Sequence, residues 1–249
     1  MSGAWLVLFL SLLPGVGNFA GGMAAELWKT SPRLLNWALH AAAGIVIAIV
    51  AVELIPEAIG ALAGWWMALA FACGGGAYVL LESLVERLQP GNEGNARSRM
   101  WMIYVAVAVD LTSDGLMIGT GSAVSPRLAL ALAAGQVLAD VPEGYATVAN
   151  FRDKGVPRRK RIWLAASFFI YVVGAALGSY FLLRTAPQTF KMAALVFVAG
   201  LLTVAAVEDM LEEAHGARED SRRSVLAFVG GFTIFTLVSA GLETLLVGR

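Results

Sequence analysis

Two short acidic signatures stand in otherwise apolar sequence: Asp110-Leu111-Thr112-Ser113-Asp114-Gly115 and Asp140-Val141-Pro142-Glu143-Gly144. On a helix, Asp110 and Asp114 are four residues apart and share a face, with Ser113 at its border and Met117 beneath. Gln136, Asp140 and Glu143 fall at i, i+4 and i+7 and form a second stripe. The connection around Ser125-Pro126-Arg127 is short, which predicts antiparallel neighbours whose stripes face one another. A carboxylate at the centre of a membrane helix costs about 2.5–3.5 kcal/mol on insertion scales. Four of them on adjacent helices need a compensating partner, and a bound cation is the simplest; a protonated, hydrogen-bonded structural network is the alternative. Acids gathered in one cavity repel, so at least one would carry a proton when no cation is present. Pro142 frees the carbonyl of Leu138, and Gly115 and Gly144 let other helices approach closely.

The elements that must position these side chains follow from composition. Hydrophobic residues make up 58% of the 249-residue chain and charged residues 14%, against about half and one quarter in a soluble domain. Eight apolar segments, approximately 4–25, 35–55, 62–85, 100–121, 128–148, 162–183, 192–211 and 225–247, each have the length a helix needs to cross the hydrocarbon core. The expected fold is therefore an all-α polytopic membrane protein of eight transmembrane helices, with residues 1–249 as one domain. The first apolar run lacks a positive amino-terminal flank and continues to Ala25, so it reads as a helix rather than a leader.

Basic residues test this arrangement. Of the 18 lysines and arginines, fourteen fall in the odd-numbered connections, among them Lys29, Arg33, Arg87 and the run Arg152 to Arg161. Only Arg127, Arg184, Lys191 and Arg249 fall elsewhere. The positive-inside rule then puts the odd connections in the cytoplasm and both termini outside. The longest polar stretch, Gln89 to Asn95, reads as a cytoplasmic loop.

The net charge is zero, so nothing argues for a nucleic-acid partner. Cys73 lies in an apolar run and reads as a buried small hydrophobe. His40 and His215 are far apart, which excludes a histidine-rich metal site; a hydrogen-bonded packing role is expected for His40. Trp65-Trp66 fits an interfacial aromatic belt, and Gly174 to Gly178 reads as a small-residue packing face. Glu82, Glu86 and Glu243 read as solvated or packed helix-end charges. The acidic ends Val52-Glu53-Leu54-Ile55-Pro56-Glu57 and Val207-Glu208-Asp209-Met210-Leu211-Glu212-Glu213 echo one another on helices of opposite direction. An inverted repeat is one reading of that echo; coincidence is the other. Glu53, Glu57, Glu208 and Asp209 are either interfacial charges or part of an ion path.

At the acidic signatures the chain resembles the ZIP family of divalent-metal transporters. Asp110 to Gly119 is similar to that family's fourth-helix motif, His-Asn-x-x-Asp/Glu-Gly with an apolar-Gly tail, and Asp140 to Gly144 to its fifth-helix motif. Supporting matches are Glu53 to Glu57, Leu84 to Leu88 and Val207 to Asp209, and eight helices with both ends outside is the family topology. The resemblance implies metal ligation by Asp114, Asp140 and Glu143, with Asp110 in a ligand position where the family has histidine. The chain departs from the pattern at Leu111, Ala139 and Tyr171, where the family places an amide, a His or Gln, and a glutamate. A second, adjacent metal position is put in doubt by those losses.

The functional expectation is transport of a divalent cation (zinc, iron or manganese class) into the cytoplasm across the cell membrane by alternating access. The cation is cargo, and no resident cofactor is expected. An oxygen-rich site suits harder cations such as Mn²⁺ better than a histidine site does. The competing expectation is a transport-incompetent membrane protein that binds or senses metal. An intramembrane enzyme is set aside, because the chain has no His-Glu-x-x-His motif and no plausible nucleophile–base pair. The expected partners are the cation and the lipid bilayer, with a homodimer left open.

Overall fold

The computed structural model describes residues 3–87, 96–210 and 221–247. The Gln89 to Asn95 loop, Glu212, Glu213 and His215 lie outside the described residues, as do the side chains of Glu86 and Asp209. The fold is all-α: α1 is Gly3–Leu27, α3 Gly64–Arg87, α4 Ala96–Val124, α5 Pro126–Asp153, α6 Arg158–Leu183 and α8 Ser221–Val247. α2 begins as Pro32–Ala48, widens into a π-helical stretch at Ile49–Leu54 and closes with Ile55–Ala58. α7 is Gln188–Ala205 followed by a π-helical stretch at Ala206–Met210.

Local chemistry sets several of the boundaries. Ser31 and Ser125 each cap a helix, accepting from the backbone N–H of Leu34 at 3.2 Å and of Leu128 at 3.1 Å. In both cases proline follows at the first helical position, where its missing N–H costs nothing. Helix α5 ends where Gly155 adopts a φ of 74° and the Val156 N–H returns to the Phe151 carbonyl at 3.0 Å, a closure that favours glycine.

Seven of the described helices are long and apolar enough to cross a membrane. The remaining long helix, α5, has 28 residues but falls short of that apolarity; it carries Gln136, Asp140 and Glu143. Large apolar side chains cover the outside, with Leu80, Ile170, Leu182 and Leu245 all more than 70% exposed. Such a surface is suited to hydrocarbon, not water.

Helices α1, α4, α5 and α6 all touch one another, while α2 packs on α8 and α7, and α3 on α7. The two groups meet mainly where α2 lies on α5 and α7 on α4. An apolar cluster including Ile49, Met117, Ile118, Leu132, Leu195 and Phe235 fills that junction. At one end of the first group, the buried Glu26 carboxylate accepts from the Arg161 guanidinium, with Arg158 3.4 Å away. Nearby, Arg152 Nη1 donates to the Ala25 carbonyl at 2.6 Å and the Tyr145 hydroxyl to the Trp28 carbonyl at 2.9 Å. These bonds fasten α1, α5 and α6 together.

Two expectations are corrected. Cys73 is exposed, not buried; it lines an open apolar groove of about 540 Å³ with Leu62, Trp66, Leu69 and Phe190. Gly174 and Gly178 have open space where a side chain would stand. The face of α6 turned toward α4 bears Val172, Ala175, Ala176 and Ser179, and Phe169 and Tyr180 meet α1. His40 is buried and its Nδ1 pairs with the Asn36 carbonyl at 2.9 Å, as a packing role requires. Trp65 and Trp66 are exposed and stacked, with ring centroids 3.9 Å apart.

Candidate carboxylate site

Helices α4 and α5 are joined by a single residue, Ser125, so the chain folds straight back and brings the two acidic stripes face to face. All four acids are buried: Asp114 and Asp140 have no exposed surface, Asp110 is 6% and Glu143 8% exposed. Asp110 and Glu143 lie within hydrogen-bonding reach of each other, and so do Asp114 and Asp140. Carboxylates that close are held together by a shared proton or by a cation, since two bare negative charges repel.

Gln136 sits between the second pair. Its amide Nε2 donates to Asp114 Oδ1 at 2.5 Å and to Asp140 Oδ1 at 3.1 Å. The second oxygen of every acid has no hydrogen-bond partner: Asp110 Oδ2, Asp114 Oδ2, Asp140 Oδ2 and Glu143 Oε2 are all buried and unsatisfied. Among the described residues, no lysine, arginine or histidine forms an ion pair with any of the four. Buried charge without a partner is costly enough that it is neutralised in some way.

The acids form a linked row, not a ready coordination shell. Among the described residues, no three His, Cys, Asp or Glu side chains converge closely enough to hold a metal ion as they stand. The Gln136 amide occupies the space between Asp114 and Asp140, so a cation there requires side chains to turn. The donors on offer are all oxygens, which is the set that hard divalent cations take.

Close helix contacts hold the cluster in place. A side chain at Gly144 would overlap the Asn18 carbonyl oxygen of α1, and one at Gly115 would overlap the Val172 carbonyl oxygen of α6. At Gly17 an added Cβ would come within 3.3 Å of the Asp140 Cβ. α1 thus lies directly against the acidic stripe of α5, and it brings a residue that the acidic motifs do not announce. Asn18 is 1% exposed and its Nδ2 has no acceptor. Its signal in the sequence is an amide in the middle of the first apolar run.

Leu111, Ala139 and Tyr171 lie outside the acid row. Leu111 is fully buried in a separate apolar cluster with Tyr104, Phe168 and Val172. Ala139 is buried in the cluster at the helix-group junction. Tyr171 is 37% exposed, with its hydroxyl 3.3 Å from that of Tyr104. Of the peripheral acids, Glu57 is exposed and Glu243 makes an exposed ion pair with Arg127 at 3.0 Å. Glu53 is half-buried in the π-helical stretch of α2 and accepts a hydrogen bond from Ser239 of α8. Glu208 is half-buried in the π-helical stretch of α7.

The fold and the site together define an all-helical protein of membrane type, with a buried carboxylate row between two antiparallel helices. The chain matches no protein-family model, and no curated protein matches it.

Proposed function

We propose that the protein is a ZIP-like membrane transporter that carries a divalent metal cation into the cytoplasm, with Asp110, Asp114, Asp140 and Glu143 as its ligands. One observation carries this reading: four buried carboxylates from facing helices, each with an unsatisfied oxygen and none ion-paired among the described residues. A purely structural network would be expected to satisfy those oxygens with donors. In this reading α5 is the eighth span, tolerated because its polar face is turned onto α4 and α1. The helix connections rich in lysine and arginine face the cytoplasm of the cell membrane, and both termini face outward.

Alternating access is supported by the division into helix groups. All four acids belong to the group α1, α4, α5 and α6, and the junction with the other group is apolar. An interface with few directional bonds lets one group shift against the other, so the row is offered to one side and then to the other. The echo between α2 and α7 supports an inverted repeat: both helices leave the α-helical path at their acid, at Ile49–Leu54 and Ala206–Met210. Local π-helix is frequent at functional sites.

A second reading is a membrane protein that holds or senses metal without transporting it. It is favoured by Leu111, Ala139 and Tyr171, which offer no ligand to the acid row. Uptake of Mn²⁺, Fe²⁺ and Zn²⁺ into vesicles carrying the purified protein separates the two. Accumulation beyond the number of protein molecules supports transport; binding that saturates at that number supports the second reading.

A further inference from the structure

Gln136 stands one turn before Asp140 on the acidic stripe and is 1% exposed. It spends both amide hydrogens on the row, one on Asp114 and one on Asp140. Its own Oε1 is buried with no donor. With both acids ionised the neighbours decide which end of the amide points where: an NH₂ group can donate to two carboxylate oxygens at once, and the reverse orientation would set three acceptors together. The amide therefore does two things in this arrangement. It bridges Asp114 and Asp140 through donors that offset their like charge, and it holds an unused oxygen ligand on the same side chain.

A cation cannot share that space with an N–H pointing at it. The terminal torsion of a glutamine side chain is broad and roughly two-fold, so a half-turn exchanges NH₂ for Oε1 without backbone movement. We propose that Gln136 is a specificity-determining residue of the cation site, bridging Asp114 and Asp140 through its amide N–H groups in the empty site and turning its Oε1 onto the cation in the loaded one. The inference rests on the cation-transport reading above. The turn takes the N–H groups out of the space between Asp114 and Asp140 that a cation would occupy. It also assigns the site a neutral oxygen beside its carboxylates, a mixture that suits Mn²⁺-like cations.

The test uses the full chain purified in detergent and titrated with Mn²⁺, with Zn²⁺ in parallel, for the wild type, Gln136→Met and Gln136→Glu. Gln136→Met keeps length and removes both the N–H groups and the oxygen. Gln136→Glu removes the N–H groups and keeps an oxygen. The inference expects Mn²⁺ binding at least tenfold weaker in Gln136→Met and retained in Gln136→Glu. It also expects, in infrared difference spectra, a side-chain amide carbonyl band that moves when Mn²⁺ is added to the wild type and is missing from Gln136→Met. A strut with no part in binding predicts lower melting temperatures in both variants, unchanged affinity and an unmoved band, and that result would overturn the inference. Should Gln136→Met fail to fold, the band's response in the wild type decides, with Gln136→Glu as the variant that lacks the amide. Wild-type protein that binds neither Mn²⁺ nor Zn²⁺ would remove the cation reading itself and this inference with it. Wild-type binding beside an unmoved amide band removes the inference alone.

Discussion

Asn18 and Gly144 meet backbone to backbone: the Asn18 carbonyl oxygen occupies the space that any side chain at position 144 would need. This contact presses α1 onto α5 one residue beyond Glu143. Gly144→Ala must therefore push the helices apart, and overpacking of this kind costs about 1–3 kcal/mol. Thermal melting in detergent should show the loss, and metal-dependent stabilisation should shrink with it. A melt equal to wild type would mean that the two helices are not in register at this level.

The Glu26–Arg161 pair makes a separate prediction about the other end of the same helix group. Both side chains are buried, 5% and 11% exposed, and Arg161 Nη1 also donates to the Val156 carbonyl at 2.5 Å. Arg161→Ala leaves a buried carboxylate with the exposed Arg158 at 3.4 Å and the more weakly acting Arg152. Removing one member of a buried pair costs about 3–5 kcal/mol. The double variant Glu26→Gln with Arg161→Ala should recover part of that loss in the same melting assay; no recovery would assign the effect to lost packing.

Helix positions are largely legible in the sequence, because predominantly apolar runs of membrane length leave few alternatives. The ends were sharpened by signals that need no tertiary information, such as Ser-Pro at 31–32 and 125–126. The acidic stripes were legible for the same reason: spacings of three and four place residues on one face whatever the surroundings. Beyond the pair joined at Ser125, what could not be read was which helix faces which. The Asn18 backbone meets Gly144, next to Glu143, only because α1 packs on α5. The Glu26–Arg161 pair joins residues 135 positions apart. Gly174 and Gly178 look like a packing face by spacing, yet the neighbours of α6 select the adjacent face. Cys73 reads as core because its surroundings are apolar; in a fold whose outer surface is also apolar, that pattern does not distinguish inside from outside.

Topology has its own test. In a Cys73→Ser background, a cysteine at the exposed position Lys154 should resist impermeant thiol reagents in intact cells and react after permeabilisation. Labelling from outside would invert the proposed orientation.

Ion preference should follow donor chemistry at Asp110, the acid in reach of Glu143. Asp110→His introduces an imidazole nitrogen and should move competition among Mn²⁺, Fe²⁺ and Zn²⁺ toward Zn²⁺. Ala139→His, by contrast, is expected to fail for packing reasons, since Ala139 is fully buried against apolar neighbours. An unchanged competition profile in Asp110→His would show that position 110 does not set selectivity.

Asp114 and Glu143 bear most directly on the account. Each is buried, each immediately precedes a glycine that seats a neighbouring helix, and each holds an unsatisfied oxygen in the row. Asp114→Asn and Glu143→Gln preserve size while removing charge and relieving repulsion among the acids. The measurement is metal uptake by vesicles carrying each variant, beside a melting curve with and without metal and with Glu243→Gln as a control in an exposed ion pair. The account predicts abolished uptake and lost metal-dependent stabilisation for Asp114→Asn and Glu143→Gln, intact folding for both, and near-normal uptake for Glu243→Gln. Normal uptake by both amide variants would contradict it.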